Sequence, residues 1–336
     1  MTEFLRTLRR RILTPDISET KLATRGFHVK SPESRELLET VGATFLAGYG
    51  DAVQARTLAE AEERLERVPP RFRGFAYEGA GMGLAVLDAL PLPGGRRVEA
   101  FLAGRGDRHI YMVYVGIGWA MARTPRFRWP RPDTLDPLLR WLVLDGYGFH
   151  QAYFHTERYV HRQHQDPAFP WPSGGAASPA ARAADRAYAN RAIDQGIGRA
   201  LWFVAGTDAV RTASLIAAFP EHRHPDLYAG VGLAATYAGG ADERELRRLW
   251  ADAGPHRSQI AQGCAFGAEA RVRAGLLVPH TSLAAEIFCG TTAEQAAMVT
   301  HRVRPRQPIQ GGELPAYEVW RQHVAGEFVS LGGVTR

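Results

Sequence analysis

Glu78 and Asp145 stand in the same local setting. Each directly precedes a glycine followed three positions on by a large side chain, Gly79-Ala-Gly-Met82 and Gly146-Tyr-Gly-Phe149. Two carboxylates held in a partly apolar cavity acquire separated pKa values, so one can donate a proton while the other accepts one. The setting recurs at Gly42-Ala-Thr-Phe45, Gly116-Ile-Gly-Trp119, Gly196-Ile-Gly-Arg199, Gly230-Val-Gly-Leu233 and Gly263-Cys-Ala-Phe266. There the preceding residues are Val41, Val115, Gln195, Ala229 and Gln262. If the repeats superpose, Glu78, Asp145, Gln195 and Gln262 fall at equivalent positions and converge on one concave surface. The alternative is that each bonds across a helix interface or caps a helix.

The segment Asp145 to His164, DGYGFHQAYFHTERYVHRQH, concentrates histidine and tyrosine. His150 or His155 beside Asp145 suits a general acid or base, and Tyr147 suits substrate contact. His161 and His164 lie one helical turn apart, as two metal ligands would, but no Cys or carboxylate is spaced to complete a set. No metal and no cofactor are expected. Arg199 takes the place of the large apolar residue in its repeat; it can hold a carboxylate or phosphate, or pair with Asp194 or Asp208. Cys289 and His280 form a conceivable nucleophile pair, against the plainer outcome of a buried thiol. Thr281 and Ser282 read as helix caps. P-loop, GxSxG, HExxH and CxxC patterns are absent, and GAGMG follows no clear strand, so a dinucleotide fold is not indicated.

The elements that must position these residues follow from the spacing. The repeat glycines are separated by 37, 37, 30, 50, 34 and 33 residues. The long interval contains a Pro/Gly/Ser-rich insertion near 166–179, DPAFPWPSGGAASP. A period in the mid-thirties is that of one helix-turn-helix unit. Helices are expected over 227–239, 243–253 and 258–274. Glycine inside a helix costs roughly 1 kcal/mol against alanine, so seven spaced glycines imply close backbone approach between helices. Ile110 to Val115 is the best strand candidate. The favoured fold is all-α: about seven helical-hairpin repeats of tetratricopeptide-like kind, as one large unit, forming an open solenoid or a closed toroid. The expected division is a basic N-terminal arm over 1–20, a repeat domain over 21–305 and a C-terminal extension over 306–336.

The net charge is +6, but only Lys21 and Lys30 are lysines and the arginines are scattered. A nucleic-acid footprint needs a basic stripe with stacking aromatics beside it, so nucleic acid is not an expected partner. Two cysteines, Cys264 and Cys289, exclude a disulfide framework and suit a reducing compartment. No secretory leader and no membrane-length apolar run is visible, so a cytoplasmic location is expected.

Six ordered segments carry a further resemblance: RGFAYEGAGMGLAVLD (Arg73–Asp88), YMVYVGIGWAMAR (Tyr111–Arg123), LDGYGFHQAYF (Leu144–Phe154), GIGRALWFV (Gly196–Val204), LYAGVGLAATYAGG (Leu227–Gly240) and AQGCAFGAEAR (Ala261–Arg271). Together they resemble one bacterial family of unknown function whose members accompany enediyne polyketide synthases in actinomycete biosynthetic clusters. The resemblance implies a role in building the enediyne core after the synthase releases its polyene. It carries over no catalytic residues.

The sequence therefore leads to an accessory protein that holds a hydrophobic polyene intermediate. Met82, Trp119, Tyr147, Phe149, Arg199, Gln195 and Gln262 are its candidate contacts, with Phe266 in the same repeat position. In the enzyme version Glu78, Asp145, His150 and His155 steer proton transfers during cyclisation or unsaturation. The alternative is a non-catalytic helical scaffold for other pathway proteins, or one that sequesters the product.

Overall fold

Ser31 followed by Pro32 is a strong helix start, and a long helix begins there with a reciprocal capping box between Ser31 and Ser34. The computed structural model describes residues 3–91, 95–131, 134–171, 179–305 and 314–331. Residues 172–178 of the 166–179 insertion, and residues 306–313 and 332–336 of the C-terminal extension, lie outside the described residues. Among those described the chain is all-helical, with no strand.

Two elements, α1 (Glu3–Leu13) and the single turn α2 (Leu22–Arg25), precede the first long inner helix, α3 (Pro32–Gln54). Short and long helices then alternate. The short α4 (Leu58–Glu66) leads to α5 (Pro70–Ala89), and α6 (Arg97–Leu102) leads to α7 (Ile110–Arg123). The next inner helices are α8 (Trp141–Phe154) and α9 (Pro179–Val204), and no short α-helix is described between α7 and α8 or between α8 and α9. The alternation resumes with α10 (Ala209–Ala217), α11 (His224–Ala238), α12 (Glu243–Asp252) and α13 (Arg257–Arg273). The chain ends with α14 (Pro279–Cys289), α15 (Ala293–Arg302) and α16 (Ala316–Ser330). Three of these match the helices expected from 227, 243 and 258 to within a few residues. Ile110 to Val115, the strand candidate, is instead the start of α7. Val113, Tyr114 and Val115 are buried, and Ile110 and Tyr111 partly so, in helix–helix contacts that outweigh local preference.

The inner helices α3, α5, α7, α8, α9, α11 and α13 pack in chain order, each on the next. Glycine sets the register. A Cβ at Gly116 would overlap the Glu78 carbonyl, and one at Gly146, Gly196, Gly230 or Gly263 would overlap that of Val115, Asp145, Gln195 or Ala229. In every case the obstacle is backbone of the residue just before the preceding repeat glycine. The second glycine of each pair faces the following helix in the same way: Gly118 meets Val143, Gly148 meets Ile193, Gly198 meets Leu227 and Gly232 meets Ile260. Gly79 and Gly83 meet the carbonyls of Phe45 and Tyr49 in the same order, one turn apart, so α5 runs parallel to α3.

The first repeat corrects the sequence reading. The forward contact on Ala76 is made by Gly48, while a Cβ on Gly42 would meet the Thr20 side chain. The position equivalent to the repeat glycine in α3 is therefore Leu46, and the residue before it is Phe45 rather than Val41. No inner helix precedes α3, so nothing requires glycine there.

The series returns on itself. Arg271 at the end of α13 donates to Arg71 O (2.9 Å) at the start of α5. Tyr111 OH reaches Glu269 Oε1 at 3.3 Å, and Arg273 Nη2 reaches Asp107 Oδ2 at 2.9 Å. The segment after α2 ties down the far ends of three inner helices. Phe27 packs edge-on against Tyr153, His28 N–H donates to Val204 O (3.0 Å), and Lys30 Nζ donates to Gly240 O (2.8 Å). On the outside, α1 lies against α3 through Arg10 Nη1 and Gln54 Oε1 (2.8 Å). Among the described residues no helix is long and apolar enough to cross a membrane.

Candidate functional site

A cavity runs through the middle of the array, and every inner helix contributes to its wall. Its empty space, counted together with the open mouth, is ≈ 1280 Å³. The lining extends from Pro15 and Thr20 at one end to Tyr317 and Trp320 of α16 at the other. Aromatic rings form much of the wall: Phe45 and Trp119 lie 4.5 Å apart, Trp119 and Phe149 5.2 Å, and Phe149 and Phe203 5.2 Å.

Into this apolar wall three charged side chains project from three helices. Arg199 of α9 forms a close ion pair with Asp145 of α8, and its Nη2 lies 3.9 Å from Glu78 Oε1 of α5. All three side chains are almost fully buried. Arg199 also stacks 5.1 Å from the Phe149 ring centre, so its position is fixed by packing as well as charge.

Burial drives the titration of this group. It pushes Glu78 up from the ordinary 4.5 to about 7; Arg199 opposes the rise and the neighbouring Asp145 adds to it. The nearby Trp119 indole N–H also favours the ionised form, although its geometry falls short of a hydrogen bond. Burial raises Asp145 too, against the pull of Arg199. Burial works against the charge on Arg199, but the two carboxylates outweigh it and hold the pKa above the ordinary value. One cation thus serves two acids in a low-dielectric site, and Glu78 shares a proton with its surroundings near neutral pH.

This gives a stability test. Glu78 binds its proton more tightly folded than unfolded, so its contribution is complete below pH 4.5 and disappears as pH rises through about 7. Wild-type stability relative to the Glu78→Gln variant should therefore fall by about 3 kcal/mol across that window. Urea denaturation of both proteins at pH 5 and pH 8 measures it. A pH-independent difference would show that Glu78 does not retain its proton on burial.

The sequence-derived candidates divide clearly in space. Glu78, Asp145, Arg199, Met82, Trp119, Phe149 and Phe266 all line the cavity. Gln195 and Gln262 do not. Gln262 Oε1 accepts from Arg321 Nε of α16 (3.0 Å), and Gln195 Nε2 donates to Tyr188 OH (3.2 Å), itself 3.2 Å from Arg321 Nη1. Arg321 also bonds Asp226 and Glu318, so α16 takes over the polar side of α9, α11 and α13. Tyr147 packs outside the cavity against Trp129 and Phe169.

His150 sits beside Trp119 with rings edge-on at 5.5 Å, off the cavity lining, and its Nδ1 has no partner among the described residues. Burial, aided by Arg123, drives its pKa down to about 3, so it is neutral at physiological pH. His155 lies on an outer groove with Arg25, Arg158, Arg162 and His164, and Tyr153 and Phe154 line both groove and cavity. His164 Nε2 meets Arg158 Nη2 at 2.8 Å. Among the described residues no three His, Cys, Asp or Glu side chains are placed to share a metal ion.

Of three local pairings, those of Arg199 and Thr281 differ from expectation, while Cys289 is the buried thiol that was the plainer outcome. Arg199 pairs with Asp145, because Asp194 is taken by Arg223 (Nε to Oδ2, 2.9 Å) and Asp208 caps α10 through Arg211 N–H (2.9 Å). Cys289 does not meet His280: its thiol reaches Ala261 O at 3.4 Å, while His280 Nε2 reaches Tyr237 O at 3.1 Å. Pro279 starts α14, which leaves Thr281 free to donate to Thr236 O (2.9 Å) and tie two helices together.

Sequence reasoning passed over Tyr237 and Glu269. Tyr237 lines the cavity with a buried hydroxyl that has no hydrogen-bond partner among the described residues, beneath the Arg271 guanidinium at 4.1 Å. Glu269, at the other end, accepts from Tyr111 and stands 2.9 Å from His301 Nε2. Both lie in quoted motifs but off the glycine-based positions, so the spacing gave no reason to single them out. No curated protein and no solved structure matches the chain. A family profile described as "Protein of unknown function (DUF1702)" covers residues 4–328, nearly the whole length, and the chain belongs to that family.

Proposed function

We propose that the protein takes a long polyene-derived intermediate into its cavity and processes it by proton transfer at Glu78, as an accessory protein of enediyne polyketide biosynthesis in the cytoplasm. The observation that carries this is a proton-sharing carboxylate, set beside an Asp145–Arg199 ion pair, in a cavity whose wall is mostly apolar and aromatic. An enclosed wall of this kind suits a thin, rigid, conjugated chain, and a few convergent polar groups fix where it reacts. The assignment to an enediyne pathway rests on the six-segment resemblance.

The chemistry balances as an acid/base cyclisation. Glu78 delivers its proton to one carbon of the polyene, the carbon–carbon bond forms at the cationic site created, and a proton lost from a neighbouring carbon returns to the carboxylate. Product and substrate are then isomers. Added unsaturation would also require an oxidant, so cyclisation is the preferred step. We read the array as helical hairpins of tetratricopeptide-like kind, closed into a ring. The fixed glycine register and the return of α13 to α5 support this. A protein scaffold would present its polar groups on an open face, whereas here Glu78, Asp145 and Arg199 point into the cavity.

The test is metabolite profiling of a producing strain lacking the gene, complemented with wild type or Glu78→Gln. Glutamine preserves the size of the side chain and spares the Asp145–Arg199 pair. Wild type should restore the product, while Glu78→Gln should accumulate an uncyclised polyene at near-normal protein level. Full restoration by Glu78→Gln would refute proton transfer at this residue.

A further inference from the structure

We propose that the groove outside the cavity mouth binds the anionic end of the molecule whose chain fills the cavity. The ligand class is then a long apolar chain terminating in a carboxylate or phosphate. This rests on the cavity being the polyene site.

Groove and cavity share a wall, since Tyr153 and Phe154 line both. The groove is basic: Arg25, Arg158, Arg162, His155 and His164 line it, with Glu157 as the one carboxylate among the described residues. Glu157 is occupied by Arg162 at 3.0 Å. Arg158 has no carboxylate partner among the described residues; its guanidinium donates to the His164 imidazole. Arg25 lies over the Phe154 ring at 5.2 Å; its Nη2 is paired with Glu19 at 2.8 Å, while its buried Nε has no hydrogen-bond partner among the described residues. Arg123, which lines the neighbouring cavity, makes no salt bridge among the described residues.

Irregular backbone builds this surface. Past the end of α8 the chain turns through a π-helical stretch, Glu157–His161, and Gln163 sits at φ +53, in the left-handed region. Such conformations cost about 1–3 kcal/mol and persist where the surroundings hold them. Here Gln163 O accepts from Arg223 Nη1 at 2.8 Å, anchoring the turn that presents Arg158, Arg162 and His164 around the mouth.

The interior fixes the orientation. Glu78 and Asp145 already share one cation, so a third negative group beside them would be both desolvated and repelled. An anionic ligand can place only its apolar chain inside and must leave its charge at the mouth. Arginine forks outside suit carboxylate and phosphate equally.

The test uses the full chain with cis-parinaric acid, a conjugated tetraene fatty acid whose fluorescence rises on transfer out of water, and with its methyl ester. The acid should bind about tenfold more tightly than the ester at low salt. The Arg158→Ser/Arg162→Ser double variant changes only exposed side chains, so it should fold. It should remove that advantage and leave ester binding unchanged. Displacement by dodecanoate, dodecyl phosphate and dodecanol separates the end groups: both anions should outcompete the alcohol, and the stronger of the two names the preferred terminus. Equal binding of acid and ester, or a double variant that still prefers the acid, would overturn the groove while leaving the cavity reading intact. If neither probe binds, or if Leu142→Trp in the cavity wall fails to block both, the cavity reading falls and takes the groove with it.

Discussion

Gly196→Val should leave no soluble folded protein. A Cβ there meets the Asp145 carbonyl and lies 2.7 Å from Phe149 N, so the obstruction is the backbone of α8 and not a side chain that can swing away. Overpacking ordinarily costs about 1–3 kcal/mol, because neighbours shift or change rotamer. Neither relief is open to two helices in backbone contact, and even alanine at this position should be severely destabilising. Gly326 in α16 is the control: nothing lies within 4 Å of its Cβ position. Gly326→Ala should stabilise by about 0.5–1 kcal/mol through helix propensity alone. Soluble yield and thermal melting of the two variants decide the matter. A Gly196→Val protein that melts within a few degrees of wild type would mean the helices are not in contact as described.

Arg199→Met should be nearly as damaging, but in a pH-dependent way. The substitution keeps a long side chain in the cavity wall and strands Asp145 and Glu78 without their cation. Breaking a buried ion pair by removing one partner costs about 3–5 kcal/mol. The loss should be largest at pH 8, where both carboxylates are pressed to ionise, and smaller at pH 5, where protonation relieves them. The triple variant Arg199→Met/Asp145→Asn/Glu78→Gln carries no buried charge at the site and should recover much of the stability. Urea denaturation at the two pH values gives all three comparisons. A pH-independent loss for Arg199→Met, or no recovery in the triple variant, would mean that Arg199 acts by packing and not by charge.

The helical array was legible in the sequence because its cause is steric. Backbone contact admits only glycine, so the contact leaves a mark at each step. The mark fades where its cause is missing: α3 has no earlier inner helix and carries Leu46 where glycine would stand, and α13 carries Ala265 at its forward position. That is why Gly42 misled by one helical turn. The carboxylates Glu78 and Asp145 were legible because they sit one residue before repeat glycines, on helices whose equivalent faces turn inward. Gln195 and Gln262 hold the same position on α9 and α13, but α16 covers that face. Nothing in the repeat foretells a helix added from beyond residue 314. The pairing of Arg199 with Asp145 spans the long interval, where spacing is least informative. Histidine content drew attention to 150–164, yet most of that segment leaves the inner helices after α8 to line an outer groove.

The glycine contacts also separate two properties that most binding proteins mix. Where helices rest on each other's side chains, a change of residue moves the helices and reshapes everything they enclose. Here the spacing between walls is set by main-chain atoms touching main-chain atoms, so it is indifferent to what the remaining positions carry. On the proposed reading of the cavity as a ligand site, lining residues such as Met82, Phe149 or Leu142 can therefore be exchanged to admit a differently branched or shorter guest within an unchanged architecture. Diversification of the ligand would then proceed by single substitutions on a frame that has no freedom to drift.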